Sequence, residues 1–320
     1  MHRALFWVVA AIALGPFAAA QAQTYPNRTI RLVGPFPPGG SNDLIARIIA
    51  SKLDESLGQR VVVDNRPGGN GVIGTQIVAR AAPDGYTILW VPAVHAINAA
   101  LQSNLPYDSI RDFSPVTNIA SAPNVLVMHP SVPARSVRDL IRLAKTRPGE
   151  LNYGSAGVGY PSHLAGEMLN SMAGVRIVHV PYRGAGPAMT DLIAGQIQLS
   201  YPSLPGVLPH LKSGRLRALA VTSAKRSSVV PELPTLGETL PGYSIETWFG
   251  IFLPAGTPGE VVARLQTEIV RIIRLPDVRE LLSAQGADVI GSTPEEFAAY
   301  VKSEIEKWKR VIKAAGVRPE

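Results

Sequence analysis

The 320 residues are 46% hydrophobic and only 17% charged, enough apolar material for a sizeable core and too little charge for a disordered chain. No cysteine occurs, which excludes disulfide scaffolds, thiolate metal sites and a cysteine nucleophile. The 31 Lys and Arg against 24 Asp and Glu leave a formal charge of +7, a bias toward an anionic partner of unspecified kind.

The first segment, MHRALFWVVAAIALGPFAAAQAQ, has Arg3 near the terminus, an apolar run from Ala4 to Leu14 broken by Gly15-Pro16, and small residues at Ala20-Gln21-Ala22. A basic start, a short apolar run and an A-x-A site describe a secretory signal peptide over residues 1–22 rather than a membrane anchor, since a spanning helix needs roughly 20 apolar residues. Then β-rich and helical patterns alternate. RTIRLVGPF reads as a strand, SNDLIARIIASKLDESLG as an amphipathic helix, RVVVDN as a strand, VIGTQIVARAA as a short helix and YTILWVP as a strand. This rhythm predicts a parallel sheet covered by helices. A less regular, Pro-rich stretch leads into DFSPVTNIASAPNVLVMHP, an extended apolar run long enough to pass from one domain to another. A second alternation follows: helix SVRDLIRLAKTRPGE, strand LNYGS, helix SHLAGEMLNSMAG, strand RIVHVPY, helix PAMTDLIAGQ and strands IQLSY and LRALAVTS. Another extended run, TWFGIFLPAGTP, precedes the helices PGEVVARLQTEIVRIIR and TPEEFAAYVKSEIEKWKRVIKAAG. Two α/β units joined by extended crossings is the expected organisation.

Two loops carry chemistry. PFPPGGSNDLIAR places a Pro-Gly turn after a strand and directly before a helix, with Ser41 or Asn42 as the N-cap. The first amides of a helix lack internal partners and sit at the positive end of its dipole, so such a turn suits an anion. Alone, the same pattern is an ordinary strand–helix connection with a good cap. NYGSAGVGYPSHLAGE repeats the grammar in the second half, with Ser155 and Ser162 supplying hydroxyls. Facing each other across a cleft, the two would grip both ends of a small dianion.

Other chemistries fail. The residues around Ser155 are not a G-x-S-x-G elbow, no G-x-x-x-x-G-K-[ST] occurs, and no histidine pair has H-E-x-x-H spacing. His163 and Glu167 stand i, i+4 on one helix, but two ligands rarely hold a metal, so no metal site is expected. Glu295-Glu296 lie at a helix start, where the dipole accounts for them. Basic runs are short (Lys225-Arg226 and Lys307–Arg310) without aromatic interleaving, which argues against a nucleic-acid partner. Trp248 and Phe249 read as hinge-strand core rather than a stacking platform.

Taken together, YPNRTIRLVGPFPPGGSNDLIARIIASKL, VVVDNRPGGNGVIGT, APDGYTIL, LPYDSIRDFSPV, LNYGSAGVGYPSHLAGE, VPYRGAGPAMTDLIAGQ, LKSGRLRALAVTSAKR, LPTLGE and TWFGIFLPAGTP resemble, in family order, the Bug family of extracytoplasmic solute receptors. That family supplies the binding protein of tripartite tricarboxylate transporters. The resemblance implies an α/β fold of the periplasmic-binding-protein type II-like kind: two α/β domains, two crossing strands and a ligand cleft between them. It implies domain I over 23–121, domain II over 122–250, and a return to domain I with the C-terminal helices over 251–320. It implies a carboxylate ligand held by backbone amides and hydroxyls. The ligand-binding residues carried over are Phe36, Gly39, Gly40, Ser41 and Asn42, then Ser155, Ala156 and Gly157, with His95 and Ser203 as further candidates. Many relatives carry an acidic residue where Pro202 stands, which in amino-acid binders pairs with the ligand ammonium. Pro202 cannot do so, so an acid without an α-amino group is expected. The expected protein is a periplasmic receptor, not an enzyme, without cofactor, that delivers its ligand to membrane permease subunits. The rival readings are presentation of the ligand to a sensor kinase, and a periplasmic enzyme, which a base and a nucleophile within hydrogen-bonding reach in the cleft would favour.

Overall fold

The structure, a computed structural model, describes residues 25–38, 41–182, 184–284 and 286–318. The signal-peptide reading over 1–22, Gly39, Gly40 and the side chain of Ser41 lie outside the described residues. The first half runs β1 (Ile30–Gly34), α1 (Ser41–Leu57), β2 (Val61–Asn65), α2 (Val72–Ala79), β3 (Thr87–Pro92), α3 (Val94–Leu101) and β4 (Phe113–Pro123). The middle runs β5 (Val125–Met128), α4 (Val137–Thr146), β6 (Asn152–Ser155), α5 (Pro161–Ala173), β7 (Val178–Pro181), α6 (Ala185–Ile193), β8 (Leu199–Ser200), α7 (Leu204–Lys212) and β9 (Arg217–Val221). The chain ends with β10 (Glu246–Pro254), α8 (Gly259–Ile273), α9 (Pro276–Ala284), β11 (Asp288–Val289) and α10 (Pro294–Ala315).

The strands form two sheets, ordered β11-β4-β10-β3-β1-β2 and β7-β6-β8-β5-β9. In the first, β1 pairs parallel with β2 and β3, as the βαβαβ rhythm predicts. Its centre is β10, antiparallel to both β3 and β4. Ile88 to Val91 of β3 are fully covered, which is why that strand reads as a continuous apolar run rather than an alternation. Pairing of β10 with this sheet begins at Glu246, before the domain boundary expected at 251. The strand's hydrogen bonds, not its composition, set that edge.

Three helices, α3, α7 and α9, arise where the sequence pattern predicts none. In α3, VHAINAAL buries Val94, His95, Ala96, Ile97 and Asn98, so apolar residues occur on most sides and leave no helical periodicity. In α7, Pro209 stands inside the helix and reads as a breaker, yet Leu204 and Val207 pack into the core and hold the turns in place. By contrast α10 is legible throughout. Thr293 and Glu296 form a reciprocal capping box, Pro294 opens the helix and Gly316 ends it in a left-handed conformation. Its Phe297, Val301, Ile305, Trp308 and Ile312 recur at helical spacing on one buried face. That face packs on α3, β4 and α5, so one apolar cluster runs from the larger sheet into the smaller.

The chain crosses between sheets at Asn124 and again between β9 and β10. A hydrogen-bond knot ties the crossings. Thr222 Oγ1 accepts the Asn124 N–H (2.9 Å) and donates to the Ile245 carbonyl (2.7 Å). Asn124 Nδ2 donates to the Tyr201 carbonyl (2.6 Å), and the Thr247 hydroxyl donates to Asn124 Oδ1 (3.2 Å). Among the described residues, no helix is long and apolar enough to cross a membrane.

Candidate functional site

A cavity of about 470 Å³ opens between the two sheets. Phe36, Pro37 and Pro38 after β1, Asn42 of α1, Pro92, Ala93 and Val94 between β3 and α3, and Thr247 and Phe249 of β10 form one wall. The opposite wall is Ala156 after β6, Tyr160 to Ser162 at the start of α5, Gly184 and Ala185 at the start of α6, and Tyr201 to Ser203 after β8, with Asn124 at the crossing. Five helices, α1, α3, α5, α6 and α7, therefore begin at or beside the cavity. Among the described residues lining it, none is Asp, Glu, Lys, Arg or His. Positive potential there comes from helix starts, whose first-turn amides have no intrahelical acceptor. The acidic residue in the first turn of α1 does not cancel it: Asp43 is buried against Arg47 (Nε to Oδ2, 2.9 Å) and Asn65 (2.9 Å). Asn65 also donates to the Phe36 carbonyl at 3.1 Å, bracing the Pro-rich turn from behind.

Of the residues singled out from sequence, Phe36, Asn42, Ala156 and Ser203 are brought together at this cavity. The amide Oδ1 of Asn42 is buried with no partner among the described residues. Gly157 stands one residue behind the wall. Ser155, 1% exposed, lies beneath it because alternation along β6 turns its side chain inward. His95 is a correction. It is 1% exposed, its Nε2 is 2.9 Å from the Ser109 carbonyl, and its ring packs among Tyr107, Phe113 and Phe252. The helix start at Ala93 and Val94 faces the cavity, and the next position on the turn points into the core. Phe249 divides as its neighbour does not: it stacks on Trp90 (5.7 Å) while lining the cavity, whereas Trp248 is wholly core. Asn124, Tyr160, Tyr201 and Thr247 were not singled out, and only the proximity of Tyr160 to the small-residue loop signals any of them.

The 155–159 loop is internally tied. Ala156 N–H donates to Ser162 Oγ (3.1 Å) and Gly157 N–H to Ser155 Oγ (3.1 Å). Behind it, Ser155 Oγ lies 2.6 Å from His179 Nε2, a hydroxyl and an imidazole in contact. The hydroxyl also reaches the Gly157 carbonyl at 3.1 Å and is buried, so the contact holds the loop rather than offering a nucleophile to the cavity. His163 and Glu167 are likewise engaged elsewhere, His163 with the Gly159 N–H (3.1 Å) and Glu167 with the Tyr153 hydroxyl (2.6 Å).

Burial pushes His95 and His179 down to about 4 and His163 down to about 3. In the unfolded chain these imidazoles protonate near 6.5, so between that value and about 4 the unfolded state binds more protons. Their contribution to stability is therefore complete above about pH 6.5 and is lost as pH falls toward 4. Urea titrations should give equal midpoints at about pH 7 and 8 and a clearly lower one at about pH 5; equal midpoints at all three would contradict these burial effects.

The family model described as the tripartite tricarboxylate transporter family receptor matches residues 45–317. The chain belongs to this receptor family. Protein BugT of Bordetella pertussis is 38% identical over 307 residues, covering 95% of this chain and 94% of BugT. The structure of R. palustris Rpa4515 with adipate is 40% identical, with TM-score 0.82, covering 92% of this chain and 100% of that one. MatC from Rhodopseudomonas palustris with bound malate is 32% identical, with TM-score 0.77, covering 90% and 100%. The two-lobed α/β fold of this tricarboxylate-transporter receptor is thus shared over nearly its whole length with solved relatives.

Proposed function

We propose that this receptor captures a small organic carboxylate lacking an α-amino group and delivers it to the membrane permease subunits of a tripartite tricarboxylate-type transporter. One observation carries the reading: a ligand-sized cavity between the sheets is ringed by helix starts and, among its described residues, bears no charged side chain. An anion there is met by main-chain N–H groups and hydroxyls, and an ammonium group meets no carboxylate, because Pro202 occupies the strand-end position. Adipate and malate in the two relatives support the same class of ligand. In this reading Phe36, Asn42, Ala156 and Ser203 touch the ligand, Gly39, Gly40 and Ser41 add further ligand contacts, and Ser155 and Gly157 support the loop from behind. Residues 1–22 direct export to the periplasm and are removed. The first lobe is built from 23–121 and the C-terminal part of the chain, the second from the residues between.

A thermal-shift and calorimetry series with adipate, malate, aspartate and glutamate tests it. A ligand at 100 times its dissociation constant adds about 2.7 kcal/mol of stability, readily seen as a rise in Tm. Stabilisation by an amine-free acid above that by either amino acid is expected. Tighter binding of aspartate or glutamate would refute the amine-free class, and no stabilisation by a broad panel of organic acids would refute the receptor reading.

A further inference from the structure

Two imidazoles behind the cavity wall line no part of the cavity themselves. His179 of β7 and His163 of α5 stack face to face, ring centroids 3.9 Å apart and planes 19° from parallel. Each holds one end of the same loop: His179 Nε2 is 2.6 Å from Ser155 Oγ, and His163 Nδ1 accepts the Gly159 N–H at 3.1 Å. Ser155 Oγ passes the tie on by accepting the Gly157 N–H. The far face of His179 rests on Tyr153, whose hydroxyl donates to Glu167, so the pair is faced by a phenol and, through it, a carboxyl group. The loop needs such support. Gly157 and Gly159 adopt φ of 135° and 78°, conformations that glycine reaches freely and also leaves freely.

We propose that His163 and His179 are positioning residues whose stacked, uncharged rings fix the 155–159 loop in the shape that sets Ala156, and through its N–H the Ser162 hydroxyl, at the wall a carboxylate meets. The proposal deepens the receptor reading and rests on it for the word carboxylate, while the tie itself is independent of any ligand. Only a neutral His163 has a free lone pair at Nδ1 for the Gly159 N–H. Two imidazolium rings at this stacking distance would repel. Burial holds both groups well below neutral pH, so both rings are uncharged where the receptor works.

Amide hydrogen exchange at neutral pH on the exported protein tests the tie without a ligand. His163→Leu fills the space but removes the acceptor, and the Gly157 and Gly159 amides should exchange about tenfold faster or more, with those of β1 unchanged. His163→Asn, whose Oδ1 stands where Nδ1 stood, should restore protection. Should the leucine variant fail to fold, nitrogen-15 NMR of the wild type decides: an unprotonated Nδ1 on His163 is expected, and a proton there overturns the proposal. Wild-type exchange in the leucine variant overturns it too. Calorimetry with adipate and malate separates the two claims. A loosened loop with weakened binding supports both, whereas a loosened loop in a protein that binds no organic acid leaves the tie standing and defeats the receptor reading.

Discussion

Replacing Trp248 with alanine should destabilise the fold by about 3–5 kcal/mol, the range for deleting a large aromatic from a core. Trp248 is 0% exposed on the central strand of the larger sheet. Its ring meets Phe297 edge-on at 5.5 Å and Tyr300 at 6.1 Å, the residues with which α10 grips the sheet. The indole N–H has no hydrogen-bond partner among the described residues, so the loss is one of packing and cavity formation, not of polar contacts. The backbone stays in register, with the Trp248 carbonyl still accepting the Ala93 N–H at the cavity wall. Urea unfolding of Trp248→Ala beside Leu281→Ala, whose side chain is exposed on α9, checks the claim. The second change should cost less than about 1 kcal/mol. Equal effects would mean that the sheet–helix seam does not carry the stability assigned to it.

The second large effect falls on binding. Pro202→Asp should weaken capture of an organic anion by about two orders of magnitude: unit charges of like sign about 5 Å apart at an effective dielectric of about 20 repel by about 3 kcal/mol. The cavity lining described holds no charge to offset the new one. Pro202→Asn provides the control, with similar polarity and no charge, and should bind within about tenfold of the wild type, since the Pro202 carbonyl that accepts the Val125 N–H is kept. Calorimetry on the three proteins reads the difference. If the aspartate variant binds as tightly as the asparagine variant, the cavity is not where the anion sits.

Much of this was legible in the sequence. The alternation of strands and helices, the glycine-bearing loop at 155–159 and the apolar crossings are local patterns, and each stands where its composition puts it. What failed was phase. His95 lies on a motif close to the cavity, but one residue on a helix start rotates a side chain by about 100°, which separates Val94 at the wall from His95 in the core. Ser155, the last residue of β6, and Ala156 just after it differ in the same way. The walls also take residues with no motif at all: Asn124, Tyr201 and Thr247 meet only because the crossings bring them together. The net charge pointed to an anion without locating it. Among its described residues the cavity carries none of the basic side chains that make up that charge; helix starts surround it instead.

The placement of β10 has a further consequence for synthesis. The smaller sheet is drawn from one continuous stretch, 125–221, whereas the larger lacks its middle strand until residues 246–254 exist. A nascent chain halted before that point carries β3 and β4 with bare apolar edges toward each other. Such edges invite pairing with a neighbouring polypeptide. Translocation in the unfolded state, with folding deferred until the whole length has emerged, would avoid that hazard.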